Sequence, residues 1–246
     1  MASLAYKTYQ QLLIAKLGSA FAQANEILLA ATWMANCMKN EGWIYTSGTG
    51  HSHLFAEEIF YRAGGFARVR PILAPKLMLH ESATGSTLEE RREGYAQELL
   101  QPYPIGPKDL FIISSNSGRN AVSLEMAQHA QKMGAKVIVL TNLAHSQSVT
   151  SRHSSGLKLY EVGDLVLDNF GEIGDASIAL AGLAPRVGAT STVIGTALLQ
   201  AICVEAAAIL LQEGLVPEVF SSSNSDEGEA HNEALLRKYK PQVSLL

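Results

Sequence analysis

The chain has 246 residues, 47% of them hydrophobic and 17% charged, with a formal net charge of −4. This composition excludes a disordered segment, and the absence of a Lys/Arg tract excludes a nucleic-acid footprint. A small anionic ligand stays compatible, because local dipoles and a few side chains bind an anion whatever the net charge. Cys37 and Cys203 are the only cysteines. Both sit in apolar helical patterns and read as buried free thiols in a reducing compartment. The start, MASLAYKTYQQ, lacks an apolar signal core. The longest apolar run, Val193 to Leu211, is broken by Gln200 and Glu205 and reads as a core helix rather than a span. The expectation is a cytoplasmic protein with neither a membrane nor a nucleic-acid partner.

Leu13, Leu17, Phe21, Ala24, Leu28 and Ala31 recur at helical spacing and predict one long helix or two short ones over residues 3–39. Trp43 to Ser47 reads as a strand running into Gly48-Thr49-Gly50, and a helix follows from about Ser52 to Ala63, stopped by Gly64-Gly65. A second strand fits Ala67 to Leu73. Thr87 with Glu90 forms a capping box that opens a helix to Leu100. The clearest βα unit comes next: strand Asp109 to Ser115, loop Asn116-Ser117-Gly118, helix Arg119 to Met133, then a strand from Lys136 to Leu140. A fifth strand fits Asp164 to Leu167, ahead of a loop-rich stretch to about Gly188. A long helix from Thr190 or Ser191 to Gln212 and a short one near residues 228–239 complete the chain. This alternation predicts an α/β fold, a parallel sheet covered on both faces. No repeat or interdomain linker interrupts it. The expected organisation is one domain over 1–246, with a helical part at 1–41, an α/β core at 42–214, and a strap and helix at 215–246.

Two strand–loop–helix junctions share a composition: Ser47-Gly48-Thr49-Gly50-His51-Ser52 and Ser114-Ser115-Asn116-Ser117-Gly118-Arg119-Asn120. Glycine lets the backbone turn sharply, while hydroxyls and the unpaired N–H groups of the next helix converge on one spot. That spot suits a phosphate, because a helix start is partly positive. Neither loop fits the Walker pattern, and the first lacks the third glycine of a dinucleotide fingerprint. The candidate phosphate ligands are Ser47, Thr49, His51, Ser52, Ser115, Asn116, Ser117 and Asn120.

The first loop resembles the Gly-x-Gly-x-Ser signature of sugar isomerase (SIS) domains, and Ser-Asn-Ser-Gly-Arg-Asn resembles their Ser-x-Ser-Gly-x-Thr signature. Thr141-Asn142 and Thr190-Ser191-Thr192 also match, and the resemblance covers roughly residues 5–215. Small stand-alone SIS proteins, often labelled phosphoheptose isomerases, are similar through Ala56-Glu57-Glu58 and the late Glu-Ala-His-Asn. The resemblance implies a three-layer, flavodoxin-like, five-stranded sheet with a helical extension at one end of the chain and a helical tail at the other. It implies a phosphorylated sugar held by Ser52, Ser115, Ser117 and their neighbours, and a homodimer or dimer of dimers with composite sites. Asn120 replaces the usual Thr, and Arg186 stands where relatives of the synthase and etherase groups carry a Glu. The last long helix has no His, so neither a zinc set nor any other cofactor is expected.

Aldose–ketose isomerisation needs a base beside the carbonyl and an acid at oxygen, tasks suited to Glu and His. The candidates are Glu58 or Glu81 as base and His231 or His80 as acid. Glu57 and Glu58, being adjacent on a helix, face different directions. His51 falls within the first loop, whereas His53, His129 and His145 have ordinary packing or surface readings. A phosphosugar lyase or etherase and a non-catalytic phosphosugar sensor are the competing functions.

Overall fold

The structure is a computed structural model that describes residues 4–246. Residues 1–3, at the head of the expected helical part, lie outside the described residues. Helices α1 (Ala5–Phe21) and α2 (Ala24–Lys39) open the chain. The strands β1 (Ile44–Gly48), β2 (Val69–Ile72), β3 (Leu110–Ser114), β4 (Lys136–Thr141) and β5 (Leu165–Asp168) then form one parallel sheet. Their order is β2-β1-β3-β4-β5, the expected five-stranded arrangement. The strands are apolar because both faces are covered: every residue of β1 and β3 is buried. Each fully buried Ile or Phe there contributes about 1.5–3 kcal/mol.

Alternation along the strands divides the core in two. Ile44, Leu110, Ile112, Ile138 and Leu140 face one layer with Phe55, Ile194, Leu198 and Ile202. Tyr45, Phe111, Ile113, Val137 and Val139 face the other, with Val122, Met126, Leu100, Leu235 and Tyr239. The first layer rests on α8 (Ser191–Gln212). That helix is long and apolar enough to cross a membrane, yet its inner face packs in this core. The second layer is built on α6 (Ala121–Lys132) and α9 (Asp226–Tyr239). Cys37 and Cys203 are both buried and free, and burial pushes each thiol up to about 12.

Four expectations about local structure need correction. The helix after β1 is short, a 3-10 turn over Gly50–His53 followed by α3 (Leu54–Glu58). The chain then swings away through Tyr61, at φ 43°, whose ring meets Phe220 edge-on at 5.0 Å. The helix expected to open at Thr87 instead begins at Ala83 as α4 (Ala83–Glu89), where Ser82 Oγ accepts the Gly85 N–H at 3.1 Å. It does not continue to Leu100. Gly94, at φ 83°, donates to the Glu125 carboxylate at 2.8 Å, and α5 (Tyr95–Leu100) starts afresh.

A third departure is α7 (Leu143–Ser148), capped by Asn142 Oδ1 on the His145 N–H. The fourth is the stretch expected to be loop-rich, which contains an antiparallel hairpin, β6 (Ala176–Leu180) and β7 (Leu183–Ala189). No residue of β7 is buried, so no alternating apolar face announces it in the sequence. Its support comes from α1, whose Tyr9 hydroxyl donates to the Ala189 carbonyl at 2.7 Å.

Candidate functional site

In the order 2-1-3-4-5 the chain leaves β1 toward opposite edges of the sheet, so a crevice opens beyond the carboxyl ends of β1 and β3. The two Ser/Gly loops flank that crevice. Gly48 has its place there because a Cβ would stand 2.3 Å from the Ser52 carbonyl oxygen. Gly118, at φ 58°, turns the second loop against Ser146 and Leu159.

Most of the polar side chains of these loops hold the loops themselves. Ser47 Oγ donates to the Ile72 carbonyl at 3.0 Å. Thr49 Oγ1 donates to Glu90 Oε2 at 2.6 Å. Ser115 Oγ accepts the Gly118 N–H at 3.2 Å, and Asn116 Oδ1 accepts from Asn169 Nδ2 at 2.9 Å. Asn120 Oδ1 accepts from Arg152 Nη1 at 3.0 Å. Thr141 Oγ1 locks the end of β4 to the second loop by donating to the Ser115 carbonyl at 2.7 Å.

Ser52 and Ser117 differ. Both are half-buried, and neither hydroxyl has a hydrogen-bond partner among the described residues. The backbone N–H groups of Ser117, Arg119 and Asn120 are likewise unpartnered among them. These donors surround the start of α6, where the dipole favours an anion. His51 is exposed beside Ser52, its ring without a hydrogen-bond partner among the described residues.

The start of α8 reaches the same end of the sheet and is already filled. Asp175, held at φ 69°, accepts the Thr190 N–H at 3.0 Å and the Ser191 N–H at 2.8 Å, and its other oxygen takes the Ser191 hydroxyl at 2.7 Å. Sequence reasoning missed this carboxylate because it lies fifteen residues before the helix it caps.

The candidate acids and bases scatter. Glu58 pairs with Arg62 and accepts from Gln200 of α8 at 2.9 Å, which fixes it between two helices. His80 and Glu81 lie in the turn before α4, with Nε2 and Oε1 3.8 Å apart and side chains 61% and 57% exposed. That turn touches the first loop: Leu79 is the nearest neighbour of a Cβ built on Gly50. His53, given little weight by its sequence context, is buried beside it, its ring 6.1 Å from that of His80. Its Nδ1–H donates to the Gly50 carbonyl, which leaves Nε2 as an acceptor 3.7 Å from Glu57.

His231 is far from these groups within one chain. Its Nε2 donates to the Val219 carbonyl at 2.8 Å, and Val219 bridges Phe66, which precedes β2 at the amino end of the sheet. It lines a separate cleft of about 650 Å³ with Gly64, Phe220 and Ser222.

His145 was also passed over. It sits at the carboxyl end of β4, where burial lowers its pKa against the pull of nearby Asp175, with Arg119 adding to the lowering. Among the described residues, Glu93, Glu125 and His153 lie close enough to share a metal ion. Both carboxylates are engaged, with Ser154 and Gly94 respectively.

Comparison with known proteins shows the family. The SIS domain family model matches residues 8–142, more than half of the chain. A UPF0309 protein of Halalkalibacterium halodurans is 46% identical over 217 residues, covering 88% of this chain and 90% of the relative. The chain belongs to the SIS domain family. A UPF0309 protein of Listeria monocytogenes serotype 4b is 42% identical over 224 residues, 91% of each chain. Among solved structures, the phosphoheptose isomerase of Neisseria gonorrhoeae superposes with a TM-score of 0.52 at 18% identity. That match covers 82% of this chain and 97% of the other, and it supports the fold. The phosphoheptose isomerase of Francisella tularensis gives a TM-score of 0.50, also at 18% identity, over 82% and 95% of the two chains.

Proposed function

We propose that this SIS protein binds a phosphorylated sugar in the crevice beyond β1 and β3 and interconverts its aldose and ketose forms. The observation that carries the reading is the contrast within the loops. Thr49, Ser115, Asn116 and Asn120 are engaged in holding them, whereas the Ser52 and Ser117 hydroxyls and the N–H groups before α6 have no partner. A phosphate offers several acceptor oxygens to such a set of donors, and anchoring it orients the reacting end of the sugar.

In this reading Glu81 moves the proton between adjacent carbons through an enediol, and His80 protonates oxygen. Both are exposed at the rim beside the first loop, while Glu58 is held by Arg62 and Gln200. His53, whose free Nε2 is set by Gly50, stands next to them as a further proton acceptor. A homodimer that brings the partner's strap and His231 to these loops would complete the site.

The test is calorimetric titration with a panel of aldose and ketose phosphates, followed by proton NMR of each binder in deuterated water. Binding with exchange of the hydrogen beside the carbonyl supports the isomerase. Tight binding without exchange across the panel would leave a phosphosugar sensor, and no binding would overturn the reading.

A further inference from the structure

Nine arginines occur in the described chain; five of them have no carboxylate within ion-pair distance, and three of those five meet at one place. Arg62, Arg92, Arg186 and Arg237 form ion pairs, and Arg68 and Arg70 donate to backbone carbonyls and stack on Trp43. Arg91, Arg119 and Arg152 are left, all at the mouth of the crevice.

Arg119 belongs to the second loop. Its Nε is buried without a hydrogen-bond partner, and only a long 3.4 Å contact links Nη2 to Thr150. Arg152 is tied to that loop twice, by its N–H on the Arg119 carbonyl at 2.8 Å and by Nη1 on Asn120 at 3.0 Å. Arg91 follows Glu90, whose charge acts on Arg152. Glu90 already serves the first loop and the start of α6, through its side chain on Thr49 and its carbonyl on the Val122 N–H.

Arg119 is half-buried and Arg91 and Arg152 are exposed, so their like charges repel one another only mildly. With Glu90 as the opposing charge beside Arg152, they leave a mouth that attracts anions. Desolvation of Arg152, followed by the like charges of Arg119 and Arg91, depresses its pKa against the attraction of Glu90. A single phosphate is already served by Ser52, Ser117 and the start of α6.

We infer that the natural ligand carries a second anionic group, a carboxylate or another phosphate, which Arg91, Arg119 and Arg152 receive at the mouth of the crevice. The inference rests on the phosphosugar reading and narrows it from sugar monophosphates to doubly anionic sugars, a phosphorylated sugar acid or a sugar bisphosphate. Arginine suits both groups because its planar fork pairs with carboxylate and phosphate alike.

The experiment is calorimetric titration of the wild-type chain at fixed 0.15 M salt, a level at which exposed charges are screened beyond roughly 8 Å. Glucose 6-phosphate and fructose 6-phosphate represent the singly phosphorylated class. 6-Phosphogluconate carries the added carboxylate and fructose 1,6-bisphosphate the added phosphate. One of the latter two should bind about ten- to a hundredfold more tightly than its parent, as expected for hydrogen bonds to a charged group. Which of them gains tells carboxylate from phosphate. Arg152→Gln and Arg91→Gln should each erase at least tenfold of that preference.

Equal affinity for both classes would overturn the second subsite and leave the phosphosugar reading standing. So would variants that weaken both classes alike, because the arginines would then serve the one phosphate. Binding of neither class would overturn both proposals.

Discussion

Thr49 Oγ1 and Glu90 Oε2 are 2.6 Å apart, and this one contact joins the first loop to the end of α4. The same glutamate receives the Val122 N–H on its carbonyl, so one residue ties β1's loop, the α4–α5 break and the start of α6 together. Glu90→Ala should therefore lower stability by about 1.5–3 kcal/mol, the range for a hydrogen bond to a charged group. It should also weaken phosphosugar binding. Urea denaturation and titration of the same sample check both, and a change in affinity without loss of stability would contradict the bracing role.

Ser52→Ala and Ser117→Ala remove hydroxyls that hold nothing in the chain itself. Each variant should unfold at the wild-type urea midpoint yet bind sugar phosphate about ten- to a hundredfold more weakly. Ser115→Ala should show the reverse order of effects, because its hydroxyl oxygen accepts from Gly118 and shapes the loop. Retained affinity in both of the first two variants would rule out the anion site.

The two candidate bases separate by what they touch. Glu81→Gln should abolish exchange of substrate hydrogen with deuterated water while leaving the melting temperature within a degree or two. Glu58→Gln breaks a partly buried pairing with Arg62 and Gln200 and should mainly cost stability, on the order of 1 kcal/mol. Exchange that survives in the first variant and vanishes in the second would return the role to Glu58.

His231 offers a test of shared sites. Mixing His231→Ala with Ser117→Ala subunits should restore exchange activity, since a dimer of the two contains one site with both residues intact. Mixtures that stay inactive despite proven subunit exchange would confine each site to one chain.

The C-terminal helix should undock at both extremes of pH. Burial opposes ionisation of Glu218, but hydrogen bonds from Lys238 and Tyr239 outweigh it and hold the carboxyl below its usual range. Its stabilisation is present above the ordinary carboxyl pKa and disappears as pH falls through the lowered value. Lys238 is shifted up, chiefly by Glu218, and Tyr239 is shifted up by burial and by Glu218. Their contribution is complete below the ordinary values, about 10 to 10.5, and is lost as pH rises through the shifted ones. Amide exchange of residues 226–239 followed against pH should show a plateau between these limits. A helix equally protected at neutral pH in Glu218→Gln and wild type would remove the carboxylate from the account.

The five strands were legible because each is a short apolar run bounded by Gly, Pro or polar turns, as in Leu110–Ser114. The loops were legible because glycine and hydroxyl residues follow those runs directly. The residues that organise the loops were not. Glu90 read as the capping-box partner of Thr87, whereas it stands at the C-terminal end of α4, from which its carboxylate reaches Thr49. His53 had an ordinary packing or surface reading, whereas its buried ring is held on the Gly50 carbonyl with Nε2 3.7 Å from Glu57, four residues on. Asp175 and the β6–β7 hairpin depend on contacts made across the fold, with Ser191 and Tyr9, that no local pattern encodes.

Two long helices begin at this end of the sheet, α6 and α8, and each would attract an anion. Asp175 supplies α8 with a negative charge of its own, bound to the backbone N–H groups of Thr190 and Ser191. In the proposed reading a phosphate is repelled there and accepted at α6, so the fold breaks a symmetry that two equivalent dipoles would have left. On that reading a ligand with unlike ends would settle in one direction only, with its phosphate toward the second loop.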